Sequence, residues 1–391
     1  MLTKNIYFKN FSINSKTKKV DNIFKNIKKN YFLGKDKLLN SLSENYKYSY
    51  NKNFINKFKK EKKFRIIGMG GSILGTEAIY SFLRKKISKT FYFINNIDSA
   101  LFEDQLDKKI VNIIISKSGN TLETISNSNI LLKKSKKNIF ITELKKSYLN
   151  DLANKLRGEI IEHKNFIGGR FSVLSEVGML PAQLMGLNER KFKQFNKLIE
   201  NKKFVISLIK NVDSTLYFLS KKKYNSIILN YDPMSENLFY WYQQLIAESL
   251  GKKSKGILPI VSNMPKDNHS LMQLYLDGPK KYFYTFFSVR EKNKNKFNSH
   301  LLLESHLYLK NKDLGFVKNS QREATEKVFK MKKIPFRSFD VSQRNEESIS
   351  ELFCFFILET ILLGRAMNVN PFDQPSVELI KKETKKIFIK N

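Results

Sequence analysis

Five short stretches of the 391-residue chain carry side chains that can bind an anion or move a proton. In ISKSGNTLET, Ile115 to Thr124, the hydroxyls of Ser116, Ser118 and Thr121 follow directly on an apolar run, with Lys117 among them. Hydroxyls combined with the free amides of a helix N-terminus suit a phosphate monoester and need no metal. Helix capping is the competing reading, because a Ser or Thr there can satisfy the first amides of the helix instead. Capping accounts for one hydroxyl and leaves the cluster unexplained.

In GMGGSILG, Gly68 to Gly75, glycines let the backbone approach an anion closely. The stretch lacks the third glycine of a dinucleotide fingerprint, since Ile73 stands there, and it lacks the Lys-Ser/Thr pair of a P-loop. A merely tight strand-to-helix turn reads the same way. In GGRFSVLSEVG, Gly168 to Gly178, two glycines present Arg170 in a turn that opens a helix. An arginine so placed can act on developing negative charge, although a surface salt bridge is the default for any single Arg. In YQQLIAESLGKK, Tyr242 to Lys253, Glu248 nears the end of an amphipathic helix for which Gly251 is the expected C′ residue. Gln244 lies one turn earlier on the same face. The negative end of a helix favours a protonated carboxylate, which suits a general base; most glutamates in that position are simply solvated. His269 stands in DNHSLMQL, while His163, His300 and His306 have no comparable setting. None of the four forms HExxH or another ligand spacing, so no metal is expected.

These stretches must be held by a scaffold. FRIIGMG, FYFIN, VNIIIS, NIFIT and GEIIEH are short apolar runs separated by segments of helical period. Continuous apolar runs mark parallel strands covered on both faces. They predict a doubly wound α/β unit over about 46–200. SIILNYD, GILPIV, YFYTFFSV and PFRSFDV predict a second unit of the same type over 201–391, closed by a long helix from about Glu346, the turn NPFDQP and a Lys-rich last helix. Residues 1–45 are polar and weakly periodic, and are expected to form peripheral helices or an arm. The fold class is thus α/β, with two tandem, mainly parallel sheets flanked by helices. Ligands of such sheets sit beyond the carboxyl ends of the strands, which is where the five stretches fall.

The 71 Lys+Arg against 36 Asp+Glu give a net charge of +35. Such a balance suits nucleic acid, but the basic residues are spread along the chain, alongside abundant Asn, Ile and Phe. Runs such as KFKKEKK, Lys57 to Lys63, read as solvated faces, so neither nucleic acid nor membrane is an expected partner. The only cysteine, Cys354, lies in the apolar run LFCFFILETILL and reads as a core residue. One thiol excludes an intramolecular disulfide framework. No apolar run follows Met1 as a secretory signal would, and a cytoplasmic, soluble protein is expected.

Taken in order, GMGGSILG, SKSGNTLET, GGRFS, ESLGKK, the His269 segment and DQPSVELIKK resemble the glucose-6-phosphate isomerases (phosphoglucose isomerases), over about residues 60 to 385. SKSGNTLET is shared by many sugar-isomerase-domain proteins, whereas GGRFS, ESLGK and VEL followed by lysine are more specific. The resemblance implies two sugar-isomerase domains, no cofactor, and an aldose–ketose exchange between glucose 6-phosphate and fructose 6-phosphate through a cis-enediol. By similarity, Gly71 and Ser72 line the sugar, and Ser116, Lys117, Ser118 and Thr121 grip the phosphate through hydroxyls and backbone amides. Arg170 stabilises the enediolate, Gln244 positions the substrate, Glu248 is the base, and His269 with Lys381 opens the ring. It also implies a homodimer in which the histidine serves a site made mostly by the other subunit. The sequence departs from the family at Ser376 and Ile380, where glycines usually flank VEL, and Lys382 adjoins Lys381. Ser118 and Asn120 stand where many relatives have threonine. The chain is also shorter than the family's animal members, which implies trimmed loops. A dual phosphoglucose/phosphomannose isomerase and a non-catalytic sugar-phosphate-binding regulator are the rival readings. The regulator predicts loss of the base or of Arg170, and both are present.

Overall fold

The computed structural model describes residues 2–13, 17–98, 110–133, 137–291 and 296–390. Ten strands fall in it: β1 Ile6–Lys9, β2 Lys63–Gly68, β3 Thr90–Ile94, β4 Val111–Ile115, β5 Asn138–Thr142, β6 Glu159–Glu162, β7 Asn225–Asn230, β8 Leu258–Asn263, β9 Tyr282–Val289 and β10 Phe336–Val341. They form two five-stranded sheets, ordered β3-β2-β4-β5-β6 and β1-β10-β9-β7-β8. The first is parallel throughout, and the second is parallel except for β1. The apolar runs explain this. Ile113, Ile114 and Ile115 are all fully buried, so both faces of β4 are covered. Burying a side chain of that size contributes about 1.5–3 kcal/mol, and only a sheet flanked on both sides uses every position.

The described part of residues 1–45 holds helices, as expected for one of the two alternatives, and also an edge strand. β1 pairs antiparallel with β10 as an edge strand of the second sheet, Ile6 opposite Val341. The Lys18–Phe32 helix buries Val20, Phe24, Ile27 and Tyr31. Their spacing of three to four residues is an apolar stripe, diluted to the eye by seven intervening polar or charged positions but sufficient to dock the helix on the core.

The Glu346–Ala366 helix is buried almost all round, Cys354 included. Burial pushes the Cys354 thiol up to about 12, so it packs as a small apolar group. Glu359 interrupts the apolar run because it meets Arg337 of β10 in an ion pair with both side chains only 1% exposed. The Tyr242 hydroxyl donates to the same carboxylate over 3.1 Å. Removing one member of such a pair strands a buried charge, so these groups fix how the helices and β10 sit together. The Leu74–Phe82 helix of the first unit packs on the Glu236–Leu250 helix of the second. No helix among the described residues is long and apolar enough to cross a membrane.

Candidate active site

In the first sheet the chain runs from β2 outward to β3 and from β4 outward to β5, so the crevice between β2 and β4 is a topological switch point. GMGGS leaves β2 there and SKSGNT leaves β4. A Cβ at Gly68 would sit 3.3 Å from Ser72 Cβ and 3.1 Å from the Ile115 carbonyl oxygen, so the two loops lie side by side.

The loop after β4 turns at Gly119, whose φ of +69° suits glycine. Thr121 is the N-cap residue of the Leu122–Leu131 helix, yet its side chain makes no capping bond. Its hydroxyl instead shares a 2.9 Å hydrogen bond with Ser116 Oγ. Ser118 is exposed, and its Oγ accepts from the Asn120 amide over 3.2 Å. Thr121 therefore does not cap its own helix; Ser116 beside it is only 2% exposed, while Ser118 faces solvent. Lys117 behaves differently: its Nζ donates to the Asn165 carbonyl over 2.6 Å.

The GMGG loop and the Arg170 turn are pressed together. A Cβ at Gly71 would come within 2.5 Å of the Gly169 carbonyl oxygen, so only glycine fits. Gly70, at φ +53°, faces the Gln244 amide, which a Cβ would approach to 2.7 Å. The Ser172 hydroxyl donates to the Gly169 carbonyl at 2.7 Å and tightens the Gly169–Leu174 turn. The Lys193 ammonium closes the far end by donating to the Leu174 carbonyl over 3.0 Å and lies 4.8 Å from the Tyr48 ring centroid.

Arg170 reaches across to the second unit. Its Nε donates to Ser249 Oγ at 2.8 Å, and Nη1 donates to Glu248 Oε1 and Gln374 Oε1, both at 3.0 Å. Nη2 donates to the carbonyls of Pro371 at 2.7 Å and Asp373 at 3.1 Å. The Arg170 side chain is 2% exposed and that of Glu248 25%. Burial lowers the proton affinity of the guanidinium, and the Glu248 carboxylate works against that shift. Gln244 Nε2 donates to the other Glu248 oxygen over 2.9 Å. Glu248 opens onto a cavity of about 280 Å³ whose lining includes Lys252, Gln374, Ser376 and Ile380. Gly251 does cap this helix, but with φ −73° rather than in the left-handed region. Glycine is needed because a Cβ would meet the Ala247 carbonyl oxygen at 2.6 Å. The left-handed turn falls on Lys253 and Ser254.

Arg170, Gln244 and Glu248 thus converge, with Gly71 and Ser72 beside them and Ser116, Ser118 and Thr121 on the neighbouring loop. His269 and Lys381 do not join them. His269 is exposed after the Lys266–Asn268 turn. Lys381 lies on the exposed Val377–Lys390 helix and pairs with Glu378 at 2.6 Å, while its neighbour Ile380 lines the cavity.

Two residues escaped sequence reasoning. Gln374 binds Arg170, and its place in DQP just before VEL was the available signal. His163 is 2% exposed, with Nδ1 3.1 Å from the Lys164 carbonyl and Nε2 without a hydrogen-bond partner. Burial pushes its imidazole down to about 4. Its position at the carboxyl end of β6, beside the loops, was the clue.

The phosphoglucose isomerase family model matches residues 51–390. A probable glucose-6-phosphate isomerase of Methanococcus maripaludis is 32% identical over 95% of this chain and 87% of its own length. The glucose-6-phosphate isomerase of Campylobacter jejuni is 28% identical over 99% of this chain and 100% of its own. Among solved structures, a hypothetical protein from Thermus thermophilus superposes with a TM-score of 0.82 at 22% identity, covering 94% of both chains. A glucose-6-phosphate isomerase from Chlamydia trachomatis does so at 0.72 and 18% identity, over 86% of this chain and 71% of that one. With a family model over residues 51–390 and a relative 32% identical over nearly all of it, the chain belongs to the phosphoglucose isomerase family.

Proposed function

We propose that this chain interconverts D-glucose 6-phosphate and D-fructose 6-phosphate through a cis-enediol. The observation that carries the reading is the Glu248 carboxylate held between Arg170 Nη1 at 3.0 Å and Gln244 Nε2 at 2.9 Å, facing a cavity. Glu248 removes the proton from C2 of the open-chain aldose and returns it to C1, while a proton moves between O1 and O2. The reaction is redox-neutral overall and needs no cofactor. Negative charge builds on the enediolate oxygens, and the Arg170 guanidinium offsets it from a site where surrounding groups already fix its position. Ser116, Ser118 and Thr121 hold the phosphate with the first amides of the Leu122–Leu131 helix.

Ring opening asks for an acid and a base near O5 and O1, which the family resemblance assigns to His269 and Lys381. The exposure of His269 supports a homodimer in which the partner subunit's His269 completes each site. Lys381 reaches the cavity if the last helix turns by about one residue, since Ile380 already lines it. We assign the work to the cytoplasm, where sugar phosphates are made and used.

The test is turnover of fructose 6-phosphate in an assay coupled to oxidation of glucose 6-phosphate. Glu248→Gln should lower kcat by about 10³-fold or more while KM stays within a small factor. Near-normal turnover by that variant would remove Glu248 as the base.

A further inference from the structure

Lys117 sits in the loop expected to hold the phosphate through hydroxyls and backbone amides, and its side chain reaches away along the ends of the neighbouring strands. Its Nζ donates to the Asn165 carbonyl over 2.6 Å and lies 3.8 Å from Glu143 Oε1. Its own carbonyl accepts from the Glu143 amide at 3.1 Å. Lys117 therefore joins the exits of three consecutive strands: β4 through its backbone, β5 through Glu143 and β6 through Asn165.

The segment it grips matters. After β6 the chain is pinned where the His163 amide donates to the Thr142 carbonyl at 2.8 Å. It then crosses to the fully buried Ile167 and the glycines that present Arg170. Between those anchors Phe166 is 38% exposed, so little packing steadies the span. The Lys117–Asn165 bond is the prop in the middle. Burial depresses the proton affinity of Lys117, and the nearby Glu143 carboxylate counters the shift. Glu143 itself, with a side chain 12% exposed, also pairs with Lys145. The ammonium is thus committed to protein groups on both sides.

We propose that Lys117 is a positioning residue: its side chain ties the loop after β4 to the 163–166 span that leads into the Arg170 turn, and so steadies the approach to Arg170. This rests on the isomerase reading for its kinetic consequence and on geometry alone for the tether.

The experiment compares the full-length wild type with Lys117→Met and Lys117→Arg. In Lys117→Met, kcat for fructose 6-phosphate should fall by about tenfold or more, because a misplacement near 1 Å costs up to about 10²-fold. The dissociation constant for sorbitol 6-phosphate, which carries the phosphate but cannot isomerise, should stay within about threefold, since no charge-assisted bond to the ligand is lost. Amide hydrogen exchange over residues 164–170 should quicken by about tenfold. Lys117→Arg, which can donate to the same carbonyl, should restore most of kcat and of the protection. The tether is overturned if exchange over 164–170 is unchanged in Lys117→Met. It is equally overturned if sorbitol 6-phosphate binding weakens by about tenfold with kcat retained, which makes the ammonium a phosphate ligand. If Lys117→Met does not fold, Lys117→Arg decides: wild-type kcat and exchange support the tether, and a loss of sugar-phosphate affinity alone refutes it. A wild type inert on fructose 6-phosphate would sink the isomerase reading and leave the exchange comparison to judge the tether.

Discussion

Gly71→Ala tests how tightly the Arg170 turn is set. The Cβ it introduces would lie 2.5 Å from the Gly169 carbonyl oxygen, with the Gly169 carbonyl carbon and the Arg170 nitrogen nearer still. Ordinary contact between heavy atoms needs about 3.5 Å, so the two peptides must part by about 1 Å. Neither side yields easily. The Ser172 hydroxyl bonds the Gly169 carbonyl, and Arg170 is held by five hydrogen bonds to the second unit. Overpacking of this kind costs about 1–3 kcal/mol, which for a chain of this size lowers Tm by roughly 1–4 °C. The rate should suffer more, because a displacement of about 1 Å at the Arg170 turn is worth about 10²-fold in kcat. The assay is coupled turnover of fructose 6-phosphate, with Tm read by scanning calorimetry on the same preparations. Gly169→Ala is the control from the other side of the contact: a Cβ there has Gly71 Cα at 3.8 Å as its nearest neighbour. That substitution should leave Tm within about 1 °C and kcat near wild type. If Gly71→Ala keeps kcat within about threefold and Tm unchanged, the close seating of the two loops is wrong.

Arg170→Lys should lower kcat by about 10²–10³-fold, because an ammonium cannot reproduce a planar fork that binds Ser249, Glu248, Gln374 and two carbonyls at once. Limited proteolysis around 370–376 should quicken in the same variant, and an unaltered cleavage pattern would show that Arg170 does not hold that turn. Thr121→Ala should raise KM for fructose 6-phosphate by about tenfold with little change in kcat, as expected for one lost bond to a charged group; an unchanged KM would take Thr121 out of the phosphate site. His163 is neutral when folded, its imidazole held at about 4 against an ordinary 6.5. Between those values the unfolded chain binds a proton that the folded chain refuses, so stability falls as pH drops through that window, by at most about 3 kcal/mol. His163→Phe should flatten the fall of Tm between pH 6.5 and pH 4, and curves that stay parallel would refute this account.

The strands were readable because a parallel sheet covered on both faces leaves mostly apolar runs, as in Val111–Ile115, with Asn112 its one polar residue, and Tyr282–Val289, with Thr285 and Ser288. β1 was not, since a strand of four residues at a sheet edge has no run to show and takes its meaning from a partner far along the chain. At the site, Glu248 and Gln244 share a helix face, so their meeting follows from spacing. That Arg170 would meet them depends on how two units dock, and only order along the chain hinted at it. Lys117 shows a sharper limit: a lysine in an anion loop invites an electrostatic role, and the contact its side chain makes, with the Asn165 carbonyl beyond β6, two strands away, has no signature in sequence. His163 was set aside for want of a comparable setting, and its burial at the end of β6 depends on tertiary packing that no spacing shows.

The first strand of the chain completes the sheet made by its last third. Ile6 to Lys9 pair with residues 338–341, about 330 positions later. At about 5–20 residues per second of synthesis, β1 and the apolar face of the Lys18–Phe32 helix wait on the order of half a minute for their partners. The first sheet, encoded in between, emerges whole and can close on its own crevice during that interval. The second cannot close until β10 and the Glu346–Ala366 helix have left the ribosome. Because Arg170 comes from the early sheet and Glu248 from the late one, the nascent chain holds the loops after β2 and β4 well before Glu248 takes its place against Arg170.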